Sequence, residues 1–280
     1  MRLLKNRMGS FEHAWRGNIS VLASGAFQKP IQQIINARSS LNPEQEFKKL
    51  ERHGIWMIAE DDPCFPPQLR EIPHAPLFLY GKGERFDANR IHVGIVGTRR
   101  PTAYGKEVAV TIGTGLAHHG LAIVSGLAVG IDTIAHEAAL AANSPTIAVI
   151  GSGLDESCIL PPQNILLSRR IITSSGTMIS EYAPGTPPIK EHFPLRNRII
   201  AGLSRGVCVV EARERSGALI TAQCALEQNR DVFAVPGSIF SPTSAGANLL
   251  IQQGAKLVAR AEDICEEWGI ESVGATHALS

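Results

Sequence analysis

From residue 92 onward, short runs of β-branched and apolar residues alternate with segments that are apolar every three or four positions. The runs are 92–97 (HVGIVG), 121–126 (LAIVSG), 146–151 (TIAVIG), 177–182 (TMISEY), 206–212 (GVCVVEA) and 231–237 (DVFAVPG), with a last short run at 256–260. Helix-like segments follow at 104–119, 131–142, 163–174, 197–204, 217–228 and 247–253. The runs are apolar on both faces, so each predicts a strand covered above and below. Repeated strand-then-helix units predict an α/β domain: a parallel sheet with helices on both faces. Before residue 88 the alternation is missing. Residues 43–53 read as a short helix, and 62–67 (DPCFPP) and 73–76 (PHAP) as proline-punctuated connections. The expected organisation is a small, mostly helical N-terminal region over 1–88, a sheet domain over 89–268 and a tail over 269–280.

In open α/β sheets, ligands bind beyond the carboxyl ends of the strands. There this chain places Gly97-Thr98-Arg99-Arg100, Ser125-Gly126, Gly151-Ser152-Gly153, the stretch from Arg213 to Gly217, and Pro236-Gly237. Glycine lets a backbone approach a ligand closely, and helix N-termini aim free N–H groups at anions. With the arginines added, the edge reads as a phosphate-binding rim. The whole chain carries 27 Lys plus Arg against 26 Asp plus Glu, a net charge of +1. Adhesion of the entire surface to a polyanion is therefore excluded, and the cationic site must be a local patch.

The individual motifs narrow the chemistry. Neither a GxGxxG nor a phosphate loop of the Walker type follows the first strand: Arg100 stands where that loop's first glycine belongs, and Gly105-Lys106 is followed by Glu107. Arg99 on a strand-end turn suits a phosphate contact better than a surface ion pair. In SGLAVGID (125–132), Ser125 and the glycines suit a backbone nest for phosphate. Asp132 and His136 share a helix face, but no further carboxylate or HExxH pattern supports a metal or a catalytic pair. The segment 190–204 (KEHFPLRNRIIAGLS) offers Lys190, Arg196, Asn197 and Arg198 as phosphate donors and Phe193 as a stacking ring, in a chain with only 5% aromatics. From Phe193 to Arg215 there are five Arg against two Glu, so positive charge concentrates here. In SGALITA (216–222), Ser216 reads equally as a helix N-cap and as a phosphate donor ahead of Gly217. The expectation is a binding site with no catalytic residues, no metal and no cofactor.

The five cysteines, Cys64, Cys158, Cys208, Cys224 and Cys265, show no metal-ligand spacing, and scattered thiols suit a reducing cytoplasm. The N-terminus has no apolar signal core, and the most apolar stretch, 121–131, is far shorter than a membrane span. A cytoplasmic protein without membrane attachment is expected.

The successive blocks GTRRPTAYG, SGLAVGID, FPLRNRIIAGLS, SGALITA, DVFAVPG and GANLLIQQGA resemble, in order, the signature blocks of the DNA-processing protein A (DprA/Smf) family. The likeness runs from about residue 53 to 260 and includes DPCFPPQL and PLFLYGKG. It implies an extended Rossmann-like fold that binds single-stranded DNA without catalysis. It also implies homodimerisation and loading of the RecA recombinase onto incoming DNA during natural transformation. The chain departs from the family pattern in places. Only about 50 residues precede the likeness, so the N-terminal SAM-like domain is expected to be short or degenerate. About 20 follow it, so no winged helix is expected. After Asp155 the approach to Asn164 reads ESCILPPQ and lacks the family's usual Tyr-Pro.

Two enzyme classes share this kind of sheet. The phosphoribohydrolases that activate cytokinins use PGGxGTxxE, whereas here Pro236-Gly237 runs into Ser238-Ile239-Phe240. Nicotinamide-dependent oxidoreductases need the absent GxGxxG. The stretch from Asn248 to Leu257 is more apolar than one helix face requires. Periodicity leaves Ile251 and Leu257 evenly between core and partner contact, and the resemblance assigns them to a two-fold interface.

Overall fold

The computed structural model describes residues 2–85, 87 and 90–270, which divide into a compact unit ending at Trp56 and another beginning at Met57. In the first unit the described residues form four α-helices: α1 (Arg2–Met8), α2 (Phe11–Arg16), α3 (Gln28–Arg38) and α4 (Pro43–Arg52). Local chemistry sets two of the starts. Ser10 Oγ accepts the His13 N–H ahead of α2. Asn42 accepts from Glu44 and Gln45 ahead of α4, whose first residue is Pro43. A small core of Leu4, Ala14, Ile19 and Ile31 holds this unit together.

The second unit is a nine-stranded sheet between helices. Its strands are β1 (Trp56–Ala59), β2 (Phe78–Gly83), β3 (His92–Val96), β4 (Ala122–Ser125), β5 (Thr146–Val149), β6 (Thr177–Ser180), β7 (Gly206–Val209), β8 (Asp231–Ala234) and β9 (Lys256–Leu257). The order across the sheet is β1-β2-β6-β5-β4-β3-β7-β8-β9. From β6 to β9 all neighbours are parallel, while β2 runs antiparallel to β6 with Tyr80 opposite Ser180. The helices are α5 (Pro67–Arg70), α6 (Ala103–His118), α7 (Ile131–Ala141), α8 (Ile165–Thr173), α9 (His192–Leu203), α10 (Gly217–Glu227), α11 (Ala245–Gln252) and α12 (Ala261–Glu267).

The alternating side chains of β3 show the layering. Val93 and Ile95 join the core formed with α6, α7 and α12 through Ile112, Leu116, Ile131 and Ile264. On the opposite face, a Cβ at Gly94 would touch Val207 at 3.0 Å and Ser204, just beyond α9, at 3.2 Å. The sheet is therefore apolar on both sides, as the uninterrupted runs required.

Two expectations about elements need correction. The N-terminal region does not extend to residue 88: the compact division falls at Trp56/Met57, and β1 and β2 belong to the sheet. They lack the strand–helix rhythm because β1 is the edge strand and β2 its neighbour, both are only part-buried, and proline turns and the one-turn α5 join them rather than a full crossover helix. Helix α9 begins at His192, five residues before the expected 197. Pro194 is its third residue, where no backbone N–H is needed for the helix ladder, so the ring is tolerated. Of the tail over 269–280, residues 271–280 lie outside the described residues.

Candidate functional site

The chain leaves β3 in one direction to build β4, β5 and β6, then returns to β3's other side for β7, β8 and β9. Between the carboxyl ends of β3 and β7 the two progressions part, and open α/β sheets form their ligand crevice at such a switch point. A crevice of about 520 Å³ opens there.

Ten of the thirteen expected binding residues line it: Gly97, Thr98, Arg99, Gly126, Lys190, Phe193, Arg196, Asn197, Ser216 and Gly217. Arg213, Arg215, Ile220, Leu160 and Pro161 join them. The sequence placed 213–217 at the rim without singling out Arg213 and Arg215. Leu160 and Pro161 arrive on the long 155–164 connection, and no local pattern announces where such a loop folds back. Arg99, Lys190, Arg213 and Arg215 are exposed, and no ion pair among the described residues occupies them.

Three expected residues stand elsewhere. Ser125 is fully buried and donates to Ile95 O at 2.6 Å, so it ties β4 to β3 instead of forming a nest. Arg100 is exposed beside the crevice without lining it, its N–H turned to Thr98 Oγ1 at 3.2 Å. Arg198 points away: its guanidinium grips both carboxylate oxygens of Glu181 at 2.5 and 3.0 Å and donates to His74 O at 3.0 Å. The early start of α9 explains this, because in a helix the donors of RNR spread over different faces.

Arg196 lines the crevice from beneath. It is 5% exposed, and its Nη1 donates to Gly126 O at 2.7 Å and to Val149 O, joining the ends of β4 and β5. Burial lowers its pKa to about 10, partly offset by the Asp132 carboxylate, so it stays charged at neutral pH. A Cβ at Gly126 would sit 2.5 Å from the guanidinium, so glycine is required there by the arginine. Burial pushes the Asp132 carboxyl up, against the pull of Arg196 and of the Ala128 and Gly126 N–H groups. His136 is held down to about 3, first by burial and then by Arg196. Thr146 Oγ1 donates to Ile123 O at 2.8 Å, so it accepts from His136 Nδ1–H at 2.7 Å. Asp132 and His136 thus serve separate structural bonds.

The N-terminus of α10 faces the crevice. Asn197 Nδ2 donates to Gly217 O at 3.2 Å and fixes this end of the helix against α9. Ser216 is the N-cap residue, yet its hydroxyl makes no capping bond and its buried Oγ has no partner among the described residues. A Cβ at Gly217 would meet nothing within 4 Å. The fold does not need glycine here, and the bare backbone leaves the helix start open to the crevice. The site as a whole is an open cleft with a buried cation in its floor, free cations on its rim, unspent donors at a helix start and the Phe193 ring among them. Such a set suits phosphates joined to flat bases.

Residues 56–269 match the family model described as DNA recombination-mediator protein A. The DNA processing protein DprA of Bacillus subtilis is 43% identical over 263 residues, covering 90% of this chain and 88% of that protein. Protein Smf of Escherichia coli is 44% identical over 217 residues, which cover 78% of this chain and 58% of that longer protein. Among solved structures, DNA processing protein A from Streptococcus pneumoniae superposes with a TM-score of 0.75 at 41% identity, covering 85% of this chain and 82% of that one. The same protein from Helicobacter pylori, described for its single-stranded DNA binding mode, superposes with a TM-score of 0.66 at 30% identity, covering 76% and 95%.

Proposed function

The chain belongs to the DNA recombination-mediator protein A family, and from that premise we propose that its switch-point crevice binds single-stranded DNA without base specificity and without catalysis. The carrying observation is the set of four exposed cations, Arg99, Lys190, Arg213 and Arg215, around the N-terminus of α10, none of them in an ion pair among the described residues. The Helicobacter pylori relative, with its single-stranded DNA binding mode, supports the same reading. A binding role agrees with the polar groups of the cleft. Its buried carboxylate, Asp132, is committed to backbone N–H groups, and the cations and free hydroxyl suit phosphate.

Phosphate contacts supply most of the affinity, so binding to oligo-dT should weaken steeply with salt. Arg99→Ala and Lys190→Ala should each shallow that slope by about one unit. Phe193→Ala should cost about 1–3 kcal/mol with little change of slope. Titrations in which both cation variants behave as wild type would reject the crevice.

The finer reading follows the family resemblance: this chain protects incoming DNA and loads RecA recombinase during natural transformation, as a cytoplasmic homodimer. Among the described residues no helix is long and apolar enough to cross a membrane. Leu257 is 47% exposed and Ile251 is part-exposed at the sheet's far edge, which supports an isologous contact there. Light scattering of Ile251→Arg tests the dimer, and strand exchange by RecA on precoated DNA tests the loading.

A further inference from the structure

The turn after β8 carries two successive large apolar side chains into water: Ile239 is 83% exposed and Phe240 is 90% exposed. Isolated exposed apolar residues are commonplace, but this pair sits on a braced turn. Asn248 closes on Gly237 in both directions, with Gly237 N–H donating to its Oδ1 at 3.1 Å and its Nδ2 donating to Gly237 O at 3.0 Å. Phe240 N–H donates to Ser238 Oγ at 3.2 Å, and Ser241 N–H to Ser238 O at 3.0 Å. Thr243 Oγ1 is anchored on the buried Glu211 carboxylate at 3.2 Å. The backbone geometry that holds the two side chains out is therefore fixed, and the core makes no use of them.

Their position suggests an occupant. β8 is the immediate neighbour of β7, and strands in a sheet lie about 4.8 Å apart. The turn is stitched to the crevice wall: Ala212 N–H donates to Thr243 O at 2.8 Å and Gly246 N–H to Ala212 O at 2.8 Å, one residue before Arg213. Tyr104, 47% exposed, donates its hydroxyl to Pro236 O at 2.8 Å at the root of the same turn. Exposed cations and exposed rings thus follow one another along one sheet edge, the combination that tracks a single strand by its phosphates and its bases.

We propose that Phe240, flanked by Ile239, is a second contact for single-stranded DNA, on which a base stacks after the strand leaves the crevice past Arg213. This rests on the crevice itself binding the strand. It makes the site longer than the crevice, with stacking at both ends, on Phe193 and on Phe240.

The test compares oligo-dT of about five and about fifteen nucleotides, lengths that bracket such sites, by fluorescence anisotropy with the full chain. Phe240→Ala should bind the longer strand roughly tenfold more weakly and the shorter one within about twofold of wild type. Phe240→Tyr, which keeps the ring, should restore the longer strand's affinity. Equal affinity of Phe240→Ala and wild type for the longer strand would overturn the proposal. So would a change of mass in light scattering with unchanged DNA affinity, which would assign the pair to a protein contact. Arg99→Ala separates the two readings. It should weaken both lengths, and if it weakens neither, the crevice reading fails on its own evidence whatever Phe240 shows.

Discussion

Arg196 and Arg198 stand two residues apart on α9, whereas Arg99, Arg213 and Arg215 stand on the loops that follow β3 and β7. The helix pair is folded into the protein, one under the crevice floor on backbone carbonyls and the other on Glu181. The loop arginines face water beside the helix start of α10. The side chain is the same, but the first group is hydrogen-bonded into the fold, while the second makes no ion pair among the described residues. An arginine in a basic motif is thus a ligand contact only if the fold leaves its fork empty. The difference also separates two properties: the helix pair should govern stability, and the loop set affinity.

The strongest break of that division is Arg196→Met. It strands the Gly126 and Val149 carbonyls and leaves Asp132 buried without its nearby cation, so unfolding in urea should show a loss of about 3 kcal/mol. A loss below about 1 kcal/mol would show that the floor does not depend on this guanidinium. Arg198→Ala sharpens the comparison with a smaller effect. Its ion pair is bidentate but not dry, with side chains 14% and 23% exposed, so about 1–2 kcal/mol should be lost. The salt slope for oligo-dT should stay where it was, and a slope shallower by a full unit would return Arg198 to the binding set.

How much of this was legible in the sequence depended on how local each determinant was. The sheet from β3 to β8 could be read because its strands are buried on both faces and each is followed by a helix. β1 and β2 lack that rhythm, since both are only part-buried and proline turns replace the crossover helix. The location of Gly97, Thr98 and Arg99 at the crevice is legible because topology alone puts strand ends at the edge. The direction of Arg198 is not legible because it depends on where α9 starts, which a proline in the first turn conceals. The bond of Ser125 to Ile95 O is not legible because a hydroxyl at a strand end serves a neighbouring carbonyl as readily as a phosphate. The reach of Leu160 and Pro161 into the crevice, and the bracing of the turn around Phe240 by Asn248 on Gly237 and Glu211 on Thr243, are tertiary events with no local signature.

The neutral, sealed-in state of His136 has a consequence in acid. The unfolded chain takes up a proton at this imidazole near its ordinary pKa of 6.5, while the folded chain resists until about 3, and His92, held down to about 4 by burial, behaves alike. Well above pH 6.5 neither form is protonated and the two histidines are silent. Between there and the folded values the unfolded state binds more protons, so each step downward in pH moves the equilibrium toward it. Proton uptake measured on unfolding should therefore rise as the medium is acidified through this window. A histidine chosen to satisfy one threonine hydroxyl in the core thus gives the protein a built-in intolerance of acid.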